Sequence, residues 1–561
     1  MRIRKFLLGI KKALIAVAKT IARFPLTMVV LTALTVLIIY RIEVPTHAQE
    51  SVDKLLDRIV GTLALGIPVS LLAHMIRERY LKSVGILIQL GIYAATAVLL
   101  FLYMLFFLKE LTMVSLLRLI LLTAAAGLMF LTVPYLLSKP NFEVYIASLV
   151  AKAATSAFFT IVLATGITMV VLAVQELLYE DLSRNIYKYI WVIAGYMFLP
   201  VYFLHNYPQK DTTFEVADYN KVLKITFLYI LLPVLSAYTL VLYIYFIKIL
   251  VNWEWPKGIV SYLVTSYASV CIFSLFMVRP FIAENKWAKI CSLYFTKLIL
   301  PLLAMMFMSI GMRIADYGVT ENRYFIIVIG IWSVFASLFY VFNKGRHNTV
   351  LPVSLAIVML ISVASPVNAF VISRYSQNRR FEEILERNNM IASGQIVANS
   401  QIPQKDKREI TAILQYFNMH HSFDDVKYLP EEFGYDDFKK TFGFDWEYDH
   451  AEPQDSFYYW AEKERSITVT GYDVLFPVYL YDYNETDRYG NRATGDYGQI
   501  DVTINNDITL KIQKDGVEIY KYDLKEYVQA LYDKHGTLPK SEKDLIADMV
   551  LADENDKARI R

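Results

Sequence analysis

Arg313, Asp316, Glu321, Asn322 and Arg323 fall within one short stretch, RIADYGVTENRYF (313–325), set between two apolar runs that are each long enough to cross a bilayer. Carboxylates and guanidinium groups gathered at a membrane rim can hold a charged ligand. Acid–base chemistry there would need a second carboxylate within hydrogen-bonding reach of Glu321. The same residues also suit a plain turn, with Gly318 supplying a tight bend, Thr320 and Arg323 capping the next helix, and Asp316 or Glu321 pairing with an arginine. Arg118 and Arg279 complete this candidate rim. Both lie inside apolar runs but close enough to an end for their stems to carry the charge to the interface, as do Lys152, Lys248, Lys297 and Arg313.

Other chemistry finds little support. No HExxH or CxxC spacing, P-loop, GxSxG elbow or dinucleotide fingerprint occurs, so no catalytic, cofactor-binding or metal-ligating residue is assigned and no cofactor is expected. His74 and His205 read as satisfied interfacial histidines. His420 and His421, ahead of Asp424 and Asp425, read as helix-end polarity. Asp482, Asn484, Asp487 and Asp496 depart from the calcium-loop spacing and read as a solvated hairpin. No Asp or Glu falls inside an apolar run, which leaves a proton relay without an evident carrier.

The elements that must position the rim are apolar runs at 24–42, 59–76, 84–107, 113–137, 150–175, 186–205, 225–251, 258–283, 292–313, 324–342 and 349–372. A mean hydropathy of +0.38 with 56% hydrophobic residues fits such a chain. Lipid offers no hydrogen-bond partners and the runs lack alternation, so they are read as helices. The expected fold class is an all-α polytopic transmembrane helical bundle of eleven spans followed by a C-terminal α+β soluble domain with an antiparallel sheet.

Charge divides the chain. Residues 1–372 hold 32 Lys and Arg against 17 Asp and Glu, while residues 373–561 hold 24 against 36. A basic membrane part with an acidic tail implies two different surroundings and no nucleic-acid partner. With the N-terminus inside, basic residues in the connections divide 18 to 6 in favour of the cytoplasmic side. An odd number of crossings then puts the C-terminal domain outside the cytoplasm.

Residues 1–23 place Phe6, Leu7, Ile10, Leu14, Val17 and Ile21 on one stripe among basic residues, the pattern of a helix lying at the lipid surface. The bundle is read as 24–372, a helical linker as 373–400 and the α+β domain as 401–561. Within that domain QKDKREITAILQYFNMHH is read as a helix burying Ile410, Ile413, Leu414 and Phe417. SITVTGYDVLFPVYLYDY, GQIDVTI, ITLKIQ and GVEIYKYDL are read as strands, NETDRYGNRATGD as a turn segment, and KEYVQALYDKHG with SEKDLIADMVLAD as a closing helix pair.

RIADYGVTENRYF, with ARFPLT at 22–27 and SPVNAFVISRYSQ at 365–377, resembles domain-of-unknown-function family 4153 of bacterial polytopic membrane proteins across residues 20–380. The resemblance implies a bacterial integral protein of the inner membrane, in a family with no assigned reaction, and carries over no catalytic or binding residue. On these grounds the expected role is a non-enzymatic envelope-interaction or signal-relay protein, with membrane lipid and an envelope protein or polymer as partners. A transporter or lipid-handling protein is the alternative.

Overall fold

The computed structural model describes residues 2–43, 50–81, 85–109, 111–136, 140–178, 182–253, 259–343, 347–446, 489–495, 498–504, 509–523, 525, 549–552 and 557–560. They form two compact units, Met1–Tyr448 and Asp449–Arg561. The units part well beyond the 400/401 division read from the sequence, because residues 401–446 bury their apolar side chains with those of 381–390.

The first unit opens with α1 (Arg2–Arg23), whose Leu14, Val17 and Ile21 are exposed, so this part of the apolar stripe is left uncovered by the other described residues. Then follow α2 (Pro25–Glu43), α3 (Glu50–Tyr80), α4 (Ile86–Phe106), α5 (Met113–Thr132) and α6 (Phe142–Leu177). The next span is α7 (Asn185–Ile193) joined to α8 (Leu199–His205), and the one after it α9 (Lys221–Ile225) joined to α10 (Leu232–Asn252). Each pair is linked by a π-helical turn, at 194–198 and 226–231, directly before Pro200 and Pro233. A proline has no N–H to return to the preceding turn, and the wider turn accommodates the loss.

The unit continues with α11 (Ile259–Val278), α12 (Lys286–Tyr317), α13 (Glu321–Asn343) and α14 (Val350–Ala364). Among the described residues 10 helices are long and apolar enough to span a bilayer, or 11 with α14 and the following α15 (Ala369–Arg387) taken as one bent span. The chain is a multi-pass membrane protein. Its centre is α11, with 67% of its apolar window buried against 11% for α6. Val264, Ala268, Cys271 and Leu275 of α11 pack in one core with Ile299, Leu302, Leu303 and Met306 of α12 and Ala336 of α13.

The run read as 349–372 is corrected. Helix α14 stops at Ala364, and α15 leaves at 46°. Pro366 disfavours helix at the residue before it, and the Asn368 side chain restarts the helix by accepting the N–H groups of Phe370 and Val371 at 3.0 Å. Beyond α15 come a two-stranded hairpin, β1 (Ile391–Ala392) and β2 (Gln395–Ile396), then α16 (Gln404–His420) and α17 (Phe438–Phe442). These pack around Phe381, Leu385, Ile410, Leu414, Phe417 and Phe442 as a cap with its own core. Ile410, Ile413, Leu414 and Phe417 are the residues that helical spacing placed inside, and all are buried.

In the second unit β3 (Tyr489–Gly495), β4 (Gly498–Ile504), β5 (Thr509–Lys514) and β6 (Val517–Asp523) form one antiparallel sheet in chain order. Asp515 and Gly516 take φ +50° and +83° between β5 and β6, the left-handed pair that a two-residue hairpin needs. Two readings change. Residues 489–495, read as part of a turn segment, pair with β4 through their backbone. Met549–Ala552, read as the end of a closing helix, is strand β7, paired with β8 (Lys557–Ile560). SITVTGYDVLFPVYLYDY and the Asp482, Asn484, Asp487 and Asp496 group lie outside the described residues.

Candidate functional site: a keyed loop between bundle and cap

Helix α12 must end at Tyr317 because Gly318 takes φ +69° and ψ −177°, a conformation that essentially only glycine adopts. The three residues Gly318, Val319 and Thr320 then lead into α13. Their backbone groups are taken up by α15 rather than by solvent. Gln377 Nε2 donates to the carbonyls of Tyr317 at 3.0 Å and Val319 at 2.9 Å, and Ser376 Oγ accepts the Val319 N–H at 2.8 Å. The Tyr317 carbonyl also receives Arg380 Nη1 at 3.0 Å and Arg323 Nη1 at 3.1 Å.

The rim residues therefore separate by role. Arg323 donates to the carbonyl of Gly318 at 2.6 Å, and so caps the end of α12 instead of the start of α13. Asp316 and Asn322 are exposed and Arg313 is half-buried. The expected pairing of Asp316 or Glu321 with an arginine does not occur among the described residues. Arg118 lies between the rings of Phe107 and Phe370, at 5.4 and 5.1 Å, and donates to the Val363 carbonyl at 3.3 Å, bracing the bend between α14 and α15. Arg279 stands near Glu143, remote from the loop, so the seven candidates are not one site.

Glu321 occupies the first turn of α13 and is only 5% exposed. Tyr416 of α16 donates its hydroxyl to both carboxylate oxygens, at 2.8 and 2.9 Å, and His421 Nε2 lies 2.7 Å from Oε1. An ionised carboxylate only accepts, so His421 presents its Nε2–H to it. The side chains of Glu321 and His421 are 7% and 3% exposed. Burial, and then the facing Glu321 carboxylate, push the Tyr416 hydroxyl pKa well up, so Tyr416 stays a donor. This is a polar lock in a dry place, with each member dependent on the others.

Further ties hold the cap's shape. Asn378 donates to the Asp425 carbonyl at 2.8 Å and accepts the Lys427 N–H at 2.8 Å, while Arg374 pairs with Asp425. Asp406 takes Arg387 Nε at 3.1 Å and Asn388 Nδ2 at 2.7 Å. Burial alone would raise the Asp406 pKa, but the Arg387 and Asn388 hydrogen bonds outweigh it and hold the carboxyl below its ordinary value. A depressed carboxyl stabilises the fold fully above the unfolded pKa of about 3.9 and loses that contribution as pH falls through the folded value. Hydrogen exchange of residues 404–420 should therefore be flat from pH 7 to about pH 4 after correction for intrinsic rate, then accelerate. Asp406→Asn should be less protected at pH 7 and show a weaker acid response.

Gly318 gives a second check. A Cβ there would meet Arg380 Cδ at 2.9 Å and Gln377 Nε2 at 3.0 Å, on a backbone that resists any side chain. Gly318→Ala is expected to cost about 1–3 kcal/mol and to release the Val319 amide to exchange.

At the far end of α13, about 28 Å from Glu321 at 1.5 Å per residue, a second polar group lies around Tyr340. Helix α6 begins at Phe142, not at 150, so Glu143 lies in its first turn and accepts a hydrogen bond from the Asn348 amide. Glu143 and Glu321 are among the carboxylates that correct the reading that none enters a span, with Asp53, Asp57, Glu78, Glu176 and Asp316, since the spanning helices extend past their apolar runs. His74 is also corrected. It is buried, packs 4.6 Å from the Phe24 ring, and neither ring nitrogen has a hydrogen-bond partner among the described residues. Among those residues no group of three His, Cys, Asp or Glu side chains is placed to hold a metal ion.

Residues 26–391 match the family described as domain of unknown function (DUF4153). The chain belongs to that family. The match takes in the 313–325 loop and all of α15 but stops before α16, so Glu321 lies within the family region while Tyr416 and His421 lie beyond it. Uncharacterized protein PM1469 of Pasteurella multocida (strain Pm70) is 27% identical over 205 residues, 36% of this chain and 34% of the relative. The chain thus spans about a third of that relative's length. No solved structure matches the chain.

Residue type alone pointed to Glu321, but its partners were hidden. A histidine at the end of an amphipathic helix carries no signal that its ring will face a carboxylate 100 residues earlier.

Proposed function

We propose that this DUF4153 protein is a non-enzymatic relay of the bacterial inner membrane, in which an extracytoplasmic C-terminal region meets an envelope protein or polymer and passes that state to the bundle through the cap. The observation that carries the reading is the buried lock of Glu321 with Tyr416 and His421. Such a lock couples cap position to the start of α13, a helix that runs the depth of the bundle to Tyr340. The excess of basic residues on alternate connections supports a cytoplasmic N-terminus, and eleven crossings, with α14 and α15 counted as one bent span, would carry the C-terminus out.

Hydrogen exchange of the full chain in nanodiscs, with and without isolated cell-wall polymer, tests the relay. Protection should change both in residues 449–561 and in 313–325. The reading fails if the polymer alters neither region and a chain ending at Tyr448 still restores cells lacking the gene. A reporter fused at Arg561 that behaves as cytosolic would reverse the topology.

A transporter or lipid-handling role draws support from the polar groups at both ends of α13, since ionisable residues within spans are costly and are retained for function. Proteoliposomes in which neither solute nor lipid moves, with Glu143→Gln without effect in cells, would exclude it.

A further inference from the structure

We propose that a cavity at the edge of the bundle binds the zwitterionic headgroup of a membrane lipid, its phosphate against Lys152 and its ammonium against Asp218. This site is independent of the relay reading. The cavity, of about 280 Å³, is lined by Ser148, Lys152 and Thr155 of α6, Tyr202 of α8, Asn206, and Asp218.

Lys152 lies in an apolar span and is half-buried, yet its ammonium has no hydrogen-bond or ion-pair partner among the described residues. A charge carried inside an apolar span without a protein counter-ion is costly, and a phosphate in the cavity would supply one. Asp218 is exposed and accepts the Glu215 N–H at 2.9 Å through Oδ2. Its other oxygen is free for an ammonium. Two opposite charges lining one cavity without pairing to each other suit a ligand that bears both.

The surroundings identify that ligand as a lipid. Helix α6 is peripheral, and about one and two turns beyond Thr155 its Phe158 and Val162 are 62% and 54% exposed, an apolar track for acyl chains. Phe159 packs edge-on against the cavity residue Tyr202 at 5.5 Å. The volume is just below that of pockets for drug-sized molecules, about 300 Å³ and upward, so a headgroup fits while its tails stay outside. A lysine that merely snorkelled to the interface would show no headgroup preference.

Native mass spectrometry of the full chain with phosphatidylethanolamine, phosphatidylglycerol and soluble phosphoethanolamine tests the assignment. Phosphatidylethanolamine should bind in preference to phosphatidylglycerol. Lys152→Met should weaken it about tenfold, and Asp218→Asn should abolish the preference. Unchanged binding by Lys152→Met, or equal binding of the two lipids by the wild type, would overturn the proposal. Phosphoethanolamine binding as tightly as the lipid would assign the cavity to a soluble zwitterion instead. Melting without added lipid reports whether each variant folds. Should Lys152→Met fail, Asp218→Asn on the exposed segment decides the matter through the phosphatidylglycerol comparison alone.

Discussion

Glu321→Ala is expected to free the cap from the bundle without unfolding either. The substitution removes the acceptor for the Tyr416 hydroxyl and for His421 Nε2, both in a dry environment. The Tyr416 hydroxyl also lies 3.0 Å from His421 Nε2, so the two can bond each other once the carboxylate is gone and one donor is left unpaired; the expected loss is about 1–3 kcal/mol, or roughly ten- to a hundredfold in the opening equilibrium. Hydrogen exchange of the full chain in nanodiscs should show 313–325 and the end of α16 losing protection together, while the α11 core remains protected. Glu321→Gln keeps one acceptor oxygen and should lose less. If exchange in both segments is unchanged in Glu321→Ala, the lock does not hold the cap, and the backbone bonds from Ser376, Gln377 and Arg380 suffice.

Phe442→Ala should have the opposite pattern, with the cap itself losing its fold. Phe442 has no exposed surface and meets Phe438 at 4.8 Å, Phe444 at 6.0 Å, Phe381 at 6.2 Å and Phe433 at 6.3 Å between ring centroids. Truncating a buried phenylalanine costs about 3–5 kcal/mol, of the order of a small domain's whole stability. Exchange should become fast across 381–442 with the bundle helices unaffected. Equal loss of protection in α11 and α12 would mean that cap and bundle unfold as one unit. The two substitutions together distinguish attachment from integrity, which a relay needs separately.

Much of the architecture was legible in residue order. Spans are fixed by apolar length, and helix α16 by the spacing of Ile410, Ile413, Leu414 and Phe417, because each signal is local and carries its own period. The loop at 318–320 was legible for the same reason, through Gly318. Its purpose was not. Arg323 could as well have capped either helix, and which one it serves depends on where the Tyr317 and Gly318 carbonyls point after the chain turns. The start of α6 was missed because Glu143 precedes the apolar run. A helix is ended by its backbone hydrogen bonds, whereas the run is ended by lipid thickness, and the two need not coincide.

From its sequence alone this chain was determined to be a membrane bundle of DUF4153 type with a folded region after it, since burial of peptide groups in oil and the period of apolar residues are properties of short stretches. Only the tertiary structure decided that Glu321 faces Tyr416 and His421, that α15 rather than solvent completes the 317–319 backbone, and that Lys152 and Asp218 share one cavity. Those pairings join residues far apart along the chain, and nothing in the local order of side chains specifies which distant surface each will meet.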